Sequence, residues 1–166
     1  MTRTDIPSAP DERSTLLSML SYARETALFK VRGLSDSDAH AAPISTSPLT
    51  TPATLLNHLR WVERDWLRRG VLGEDIGAPW SKEDPDGEMT EALSMDVADV
   101  IAAYEEQIVD SDDVISGLDL EQKTAKPFPD FHPNVRWVIL HLIEETARHN
   151  GHLDLLRELA DGSVGD

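Results

Sequence analysis

An all-α fold, a four-helix bundle with long first and third connections, is predicted by three observations. Apolar residues recur at spacings of three and four over four long stretches. No stretch alternates with the period of two that a half-buried strand needs, and each is bounded by caps, prolines or glycines. The 166 residues, 40% of them apolar, suffice for one core. No linker divides them, so residues 1–166 are read as a single helical domain.

The first helix is expected to open near Pro10 or Asp11, where proline suits the first turn and an acid favours the positive helix start. Leu16, Leu20, Ala23, Ala27 and Val31 then form one inward stripe until Gly33 stops it. Residues 34–51, rich in Ser, Thr, Asp and Pro, read as a long connection with room for one short helical turn. The second helix opens on Thr51 as cap with Pro52 in its first turn and runs to Gly70, with Leu55, Leu59, Val62 and Trp66 as its core stripe. From Gly73 to Met89 the chain is acidic, rich in Pro and Gly and without period, which predicts an irregular surface loop; Trp80 is unusual there and is expected to pack back over the bundle or into a partner. The third helix is expected from about Ser94 to Ser116, with Val97, Val100 or Ile101, Tyr104, Ile108 and Ile115 on one face. The proline-broken segment KPFPDFHPN leads to the fourth helix, capped by Asn134 and closed by Gly162.

Composition excludes several classes of function. With 31 acidic against 15 basic residues the formal charge is −16, which repels nucleic-acid phosphates and anionic lipid. There is no cysteine, so disulfides, thiolate metal sites and a cysteine nucleophile are absent, and any thiol must arrive as a ligand. No apolar run approaches the ~20 residues that span a bilayer, and the opening residues show no leader pattern, so a cytoplasmic location is expected. Neither a Gly-rich phosphate loop nor a nucleophile elbow occurs, and the serines near position 45 have no base at a readable spacing.

The packing rule breaks in the fourth helix. Its seam can be followed as Val138, Leu142, position 145, position 149, Leu153 or His152, Leu156 and Leu159, and two of those seats hold Glu145 and His149. A carboxylate and an imidazole there need pairing, hydrogen bonds or a cation. Four residues apart on a helix, they are close enough to grip one ion; an ordinary i to i+4 pair on a solvated face is the other reading. His141, one turn earlier, is about 12 Å along the axis from His149, so one ion does not take both. The pair Glu145 and His149 is preferred because Gly151 follows it and lets a neighbouring backbone or ligand approach. Glu144 and Arg148 read as a surface salt bridge. His152 is open between a metal ligand, a hydrogen-bonding wall of the site and an exposed side chain, the wall being preferred. His58 points to the inner face of the second helix, where a histidine is either simply hydrogen-bonded or a ligand. Trp61, Trp66 and Trp137 read as core or interface packing, and Trp61 or Trp137 would suit a dimer contact.

Two segments, LLNHLRWVERDW and RWVILHLIEETARHNGHLDLLRELADG, resemble the DinB-like superfamily, more narrowly its DUF664 branch, which includes proteins described as mycothiol S-transferases. The likeness runs from DERSTLL to the last helix. It implies a four-helix bundle holding a divalent metal through a histidine on the second helix and two ligands one turn apart on the fourth. Carried over, these are His58, Glu145 and His149, with Arg148, His152 and His141 as site-wall candidates. Such a nitrogen and oxygen donor set suits Zn²⁺ first and also Ni²⁺, Fe²⁺ or Mn²⁺. A fourth position left open would take water or a low-molecular-weight thiol such as mycothiol. The resemblance therefore implies a metal-dependent transferase that joins a small thiol to an electrophile in detoxification, and its charge is expected to keep it from nucleic acid and membrane. A non-catalytic, metal-stabilised homodimeric module is the alternative, and a metal hydrolase with Glu144 as base a lesser one. Thiol-dependent maleylpyruvate isomerases, also similar, carry a further domain after the bundle, and isomerase activity is not expected.

Overall fold

The computed structural model describes residues 11–164, and within them every regular element is a helix. In chain order these are α1 (Glu12–Val31), α2 (Asp36–Ala39), α3 (Pro52–Arg64), continued without a break by a π-helical turn over Asp65–Val71, α4 (Gly87–Ala92), α5 (Val97–Ser116) and α6 (Val135–Asp161). The four long helices form the bundle: α1 packs mainly on α6, α3 mainly on α5, and α3 also meets α6 and α1. Among the described residues no helix is long and apolar enough to cross a membrane.

The helix starts are set by side chains that take up otherwise unpaired amides. Asp11 accepts from the Ser14 amide, and Asn134 from that of Trp137. Thr51 and Thr54 form a reciprocal capping box with Pro52 in the first turn. Pro10, the other expected start of α1, lies outside the described residues. At its far end α6 stops at Gly162, whose φ of 79° disfavours side chains and whose amide returns to the Glu158 carbonyl at 2.9 Å.

The α1 stripe of Leu16, Leu20, Ala23, Ala27 and Val31 is buried as expected. On α3 the inward positions are Leu55, Leu59, Glu63, Leu67 and Val71, whereas the expected Val62 and Trp66 are half-buried. The π turn supplies the reason. An α-helix advances about 100° per residue, so every fourth residue creeps about 40° round the face. The wider turn takes up that creep and keeps Glu63, Leu67 and Val71 inward. The expected surface loop also contains more structure than its composition suggests. Gly87 is buried and begins α4, and Trp80 packs back edge-on against Trp61 with ring centres 5.9 Å apart.

The core has two apolar clusters. One includes Leu16, Leu20, Leu67, Val71, Val138 and Leu142; the other includes Ala27, Leu28, Leu55, Leu59, Leu153 and Leu156. Between the two clusters stand polar residues: Arg24 on α1, Glu63 on α3, and Glu145, Thr146 and His149 on α6. A polar layer therefore crosses the middle of the bundle.

Candidate functional site

The inner part of this layer is a closed ion pair. Arg24 and Glu63, 2% and 1% exposed, meet in a two-pronged contact of 2.9 and 2.6 Å. The buried Tyr104 hydroxyl donates to Glu63 at 3.1 Å, and Asp112 at the rim accepts from Arg24 at 2.7 Å. Burial works against the guanidinium charge, but Glu63 beside it more than restores it, and Arg24 stays charged at all working pH. Burial also pushes the Tyr104 hydroxyl well above its ordinary range.

The outer part differs. His58 from α3 and Glu145 and His149 from α6 each bring a donor atom to within 4.8 Å of the others. Glu145 lies 3.7 Å from His149 Nε2 and 4.0 Å from His141 Nε2, both too long for direct hydrogen bonds. The rings of His58 and His149 meet edge-on with centres 4.9 Å apart. The Glu145 and His149 side chains are 22% and 14% exposed, so they stand at the rim of the bundle, and the inward seat expected of them is filled by Thr146. Leu153 continues the seam in place of the exposed His152, and Leu159, expected on it, is 66% exposed.

These residues suit a divalent cation. Two imidazoles and a carboxylate are donors of the right hardness. The 3.7 Å between Glu145 and His149 is close to the roughly 3.4 Å between two ligands of a tetrahedral zinc ion. Burial, with the neighbouring His58, His152 and Arg148, lowers the His149 pKa from 6.5 to about 4, so at neutral pH its ring is uncharged and keeps a lone pair to donate. His141, Glu144 and Glu145 make a second cluster of the same kind. It is the poorer one, because Glu144 is exposed and engaged by Arg148 one turn on, and the His141 ring stacks on Trp137 at 5.2 Å and meets Trp66 at 4.7 Å.

The remaining wall candidates separate. His152 Nδ1 lies 3.2 Å from His149 Nδ1, whereas Arg148 extends into solvent with Glu144. Beside His58 a groove of about 330 Å³ is lined by Trp61, Trp66, Trp80, Asp65 and Glu88. Asp65 there is raised in pKa by burial. A second groove, of about 470 Å³, lies across Trp66 between Phe128, Phe131 and Trp137.

A family model described as Mycothiol-S-transferase matches residues 15–162 and so takes in both clusters. The chain belongs to the mycothiol-S-transferase family. No curated protein matches it. His58, Glu145 and His149 all lie within the matched segment. Sequence reading missed Glu88 and the Arg24–Glu63 pair. Glu63 was accessible to it, standing four residues after Leu59 and four before Leu67, but Glu88 sits in a segment without period.

Proposed function

We propose that this protein is a metal-dependent transferase that joins a low-molecular-weight thiol of the mycothiol type to an electrophile, with His58, Glu145 and His149 holding the cation. One observation carries the reading: three donors from two helices converge at the rim of the bundle, inside the segment that matches the family. Zinc is the expected ion, with nickel, iron and manganese able to use the same donors. When bound, such a cation acts as a Lewis acid and raises the thiolate fraction of a thiol at neutral pH. The chain's own part is to present three donors in fixed register, with His152 packed on His149 as wall. The tryptophan-lined groove beside His58 offers the electrophile an apolar surface. In the transfer a sulfur–carbon bond forms, the leaving group departs with its electron pair, and the thiol proton passes to solvent. The protein acts in the cytoplasm as one domain, without nucleic acid or membrane.

The test is metal analysis of protein purified without added metal, beside His58→Ala and Glu145→Ala, followed by thiol consumption with 1-chloro-2,4-dinitrobenzene. Near-stoichiometric metal in the wild type, its loss in both variants and metal-dependent conjugation are expected. Metal-replete protein that neither binds nor consumes a thiol would overturn the transferase. A second reading, a metal-stabilised homodimer without catalysis, is favoured by Phe128 and Phe131, 44% and 42% exposed beside Trp137. In that case chelation lowers the melting temperature and no small thiol raises it.

A further inference from the structure

Glu88 lies 30 residues along the chain from His58, yet its Oε1 is 3.2 Å from His58 Nδ1. Its other oxygen, Oε2, is buried and has no hydrogen-bond partner. The approach is built from several directions. The side chain of Asn57, fully buried on α3, donates to the Glu88 carbonyl at 2.6 Å and to the Glu91 carboxylate at 2.9 Å. Glu91 also accepts from the Trp61 indole at 2.7 Å. On the other side Gly87 lies so close to the 79–80 backbone that a Cβ there would stand 2.0 Å from the Pro79 carbonyl oxygen. The start of α4 is thus clamped between α3 and the acidic loop, with Glu88 directed at one nitrogen of one imidazole.

An imidazole in water favours the proton on Nε2. A carboxylate at Nδ1 reverses that preference by accepting the Nδ1–H, which leaves the Nε2 lone pair free and strengthens it as a donor. We infer that Glu88 is a positioning residue that fixes His58 in its Nδ1–H tautomer and turns Nε2 toward Glu145 and His149. This rests on the proposed metal centre for its purpose, but the tautomer is a property of the protein without metal. In this role Glu88 acts through His58.

The experiment uses nitrogen-resolved NMR of the histidine side chains in metal-free full-length protein at pH 8, together with zinc titration against a chromophoric chelator. Wild type and Glu88→Gln, whose amide oxygen still accepts, are expected to show His58 as Nδ1–H. Glu88→Ala, and Glu88→Met as a space-filling variant without an acceptor in the same place, are expected to show Nε2–H. In those two the zinc dissociation constant rises about 10–100-fold, the usual effect of removing such an outer partner. Glu88→Gln recovers most of that loss. A His58 that keeps one tautomer in wild type and Glu88→Met overturns the inference. If the wild type takes up no zinc but the tautomer still switches, the metal reading fails while the role of Glu88 in orienting His58 stands.

Discussion

Arg24–Glu63 lies between the two apolar clusters, as do Glu145 and His149, which His58 joins from α3, yet the two groups are finished differently. In the first, opposite charges meet at 2.6 and 2.9 Å, a tyrosine fills a remaining acceptor position and a rim aspartate takes the spare guanidinium nitrogen. In the second, Glu145 and His149 stand 3.7 Å apart, too far for a direct hydrogen bond, and burial lowers the affinity of the His149 ring for protons. A polar layer that is internally satisfied holds the helices in register. One left open at its rim has donors to give to something else.

The widest break in this comparison is expected from Glu63→Ala. It leaves the Arg24 charge in the core with only its rim contact to Asp112, and loss of one member of a buried pair destabilises by about 3–5 kcal/mol. Urea denaturation of the metal-free protein measures it. Replacing the group together, as Arg24→Met with Glu63→Leu and Tyr104→Phe, removes every stranded charge and hydroxyl and should return stability to within about 2 kcal/mol of wild type. If the single and combined variants are equally unstable, the loss lies in packing volume, and the ion pair has no special role.

His149→Ala is the matching change on the open side. It removes an uncharged imidazole at the rim that makes no ion pair, so stability in the metal-free protein should change by less than about 1 kcal/mol, within the range of ordinary rim substitutions. Metal content should nevertheless fall to background by mass spectrometry of the purified protein. A large stability loss without loss of metal would reverse the roles assigned to the two halves of the layer.

Acid should also separate them. His149 is neutral in the folded protein down to about pH 4, mainly because it is buried, whereas in the unfolded chain it takes up a proton near 6.5. Between those values the unfolded state binds more protons. The stability contribution of this group is therefore complete above pH 6.5 and is lost as the pH falls toward 4. His149→Gln should flatten that part of the metal-free stability profile by up to one proton's worth of slope. An unchanged profile would place the acid sensitivity elsewhere.

Much of this architecture was legible in the sequence, for definite reasons. Caps such as Thr51 with Pro52, and Asn134, are local chemistry and need no tertiary information. The stripe on α1 was readable because a regular helix keeps one period. On α3 the period changes at Asp65, where the π turn begins, so Val62 and Trp66 were placed too deep and Glu63 was passed over. On α6 the acid and histidine were noticed as a breach but assigned to the seam, when Thr146 fills it and they flank it. Spacing could bring Glu145 to His149, being four residues on one helix. It could not bring His58 to them, which came from family likeness, nor Glu88, whose approach depends on contacts among Gly87, Pro79 and Asn57 that leave no period in the chain.

The smallest expected effect closes the comparison from outside. Arg148 follows Glu145 by three residues and precedes His149 by one, so linear proximity alone would put it in the site. Its guanidinium instead reaches back to Glu144 across one exposed turn, and both side chains are at least half exposed. A pair of that kind contributes little to stability because water screens the charges and the side chains lose freedom to meet. Arg148→Ala should therefore shift the urea midpoint barely above error and leave metal content unchanged, while a tenfold loss of metal-dependent conjugation in that variant would show that the guanidinium leaves Glu144 to contact a substrate. The three positions 144, 145 and 148 would then differ by which partner is present during turnover, and the exposed face of α6 would have to be counted as part of the open half of the layer.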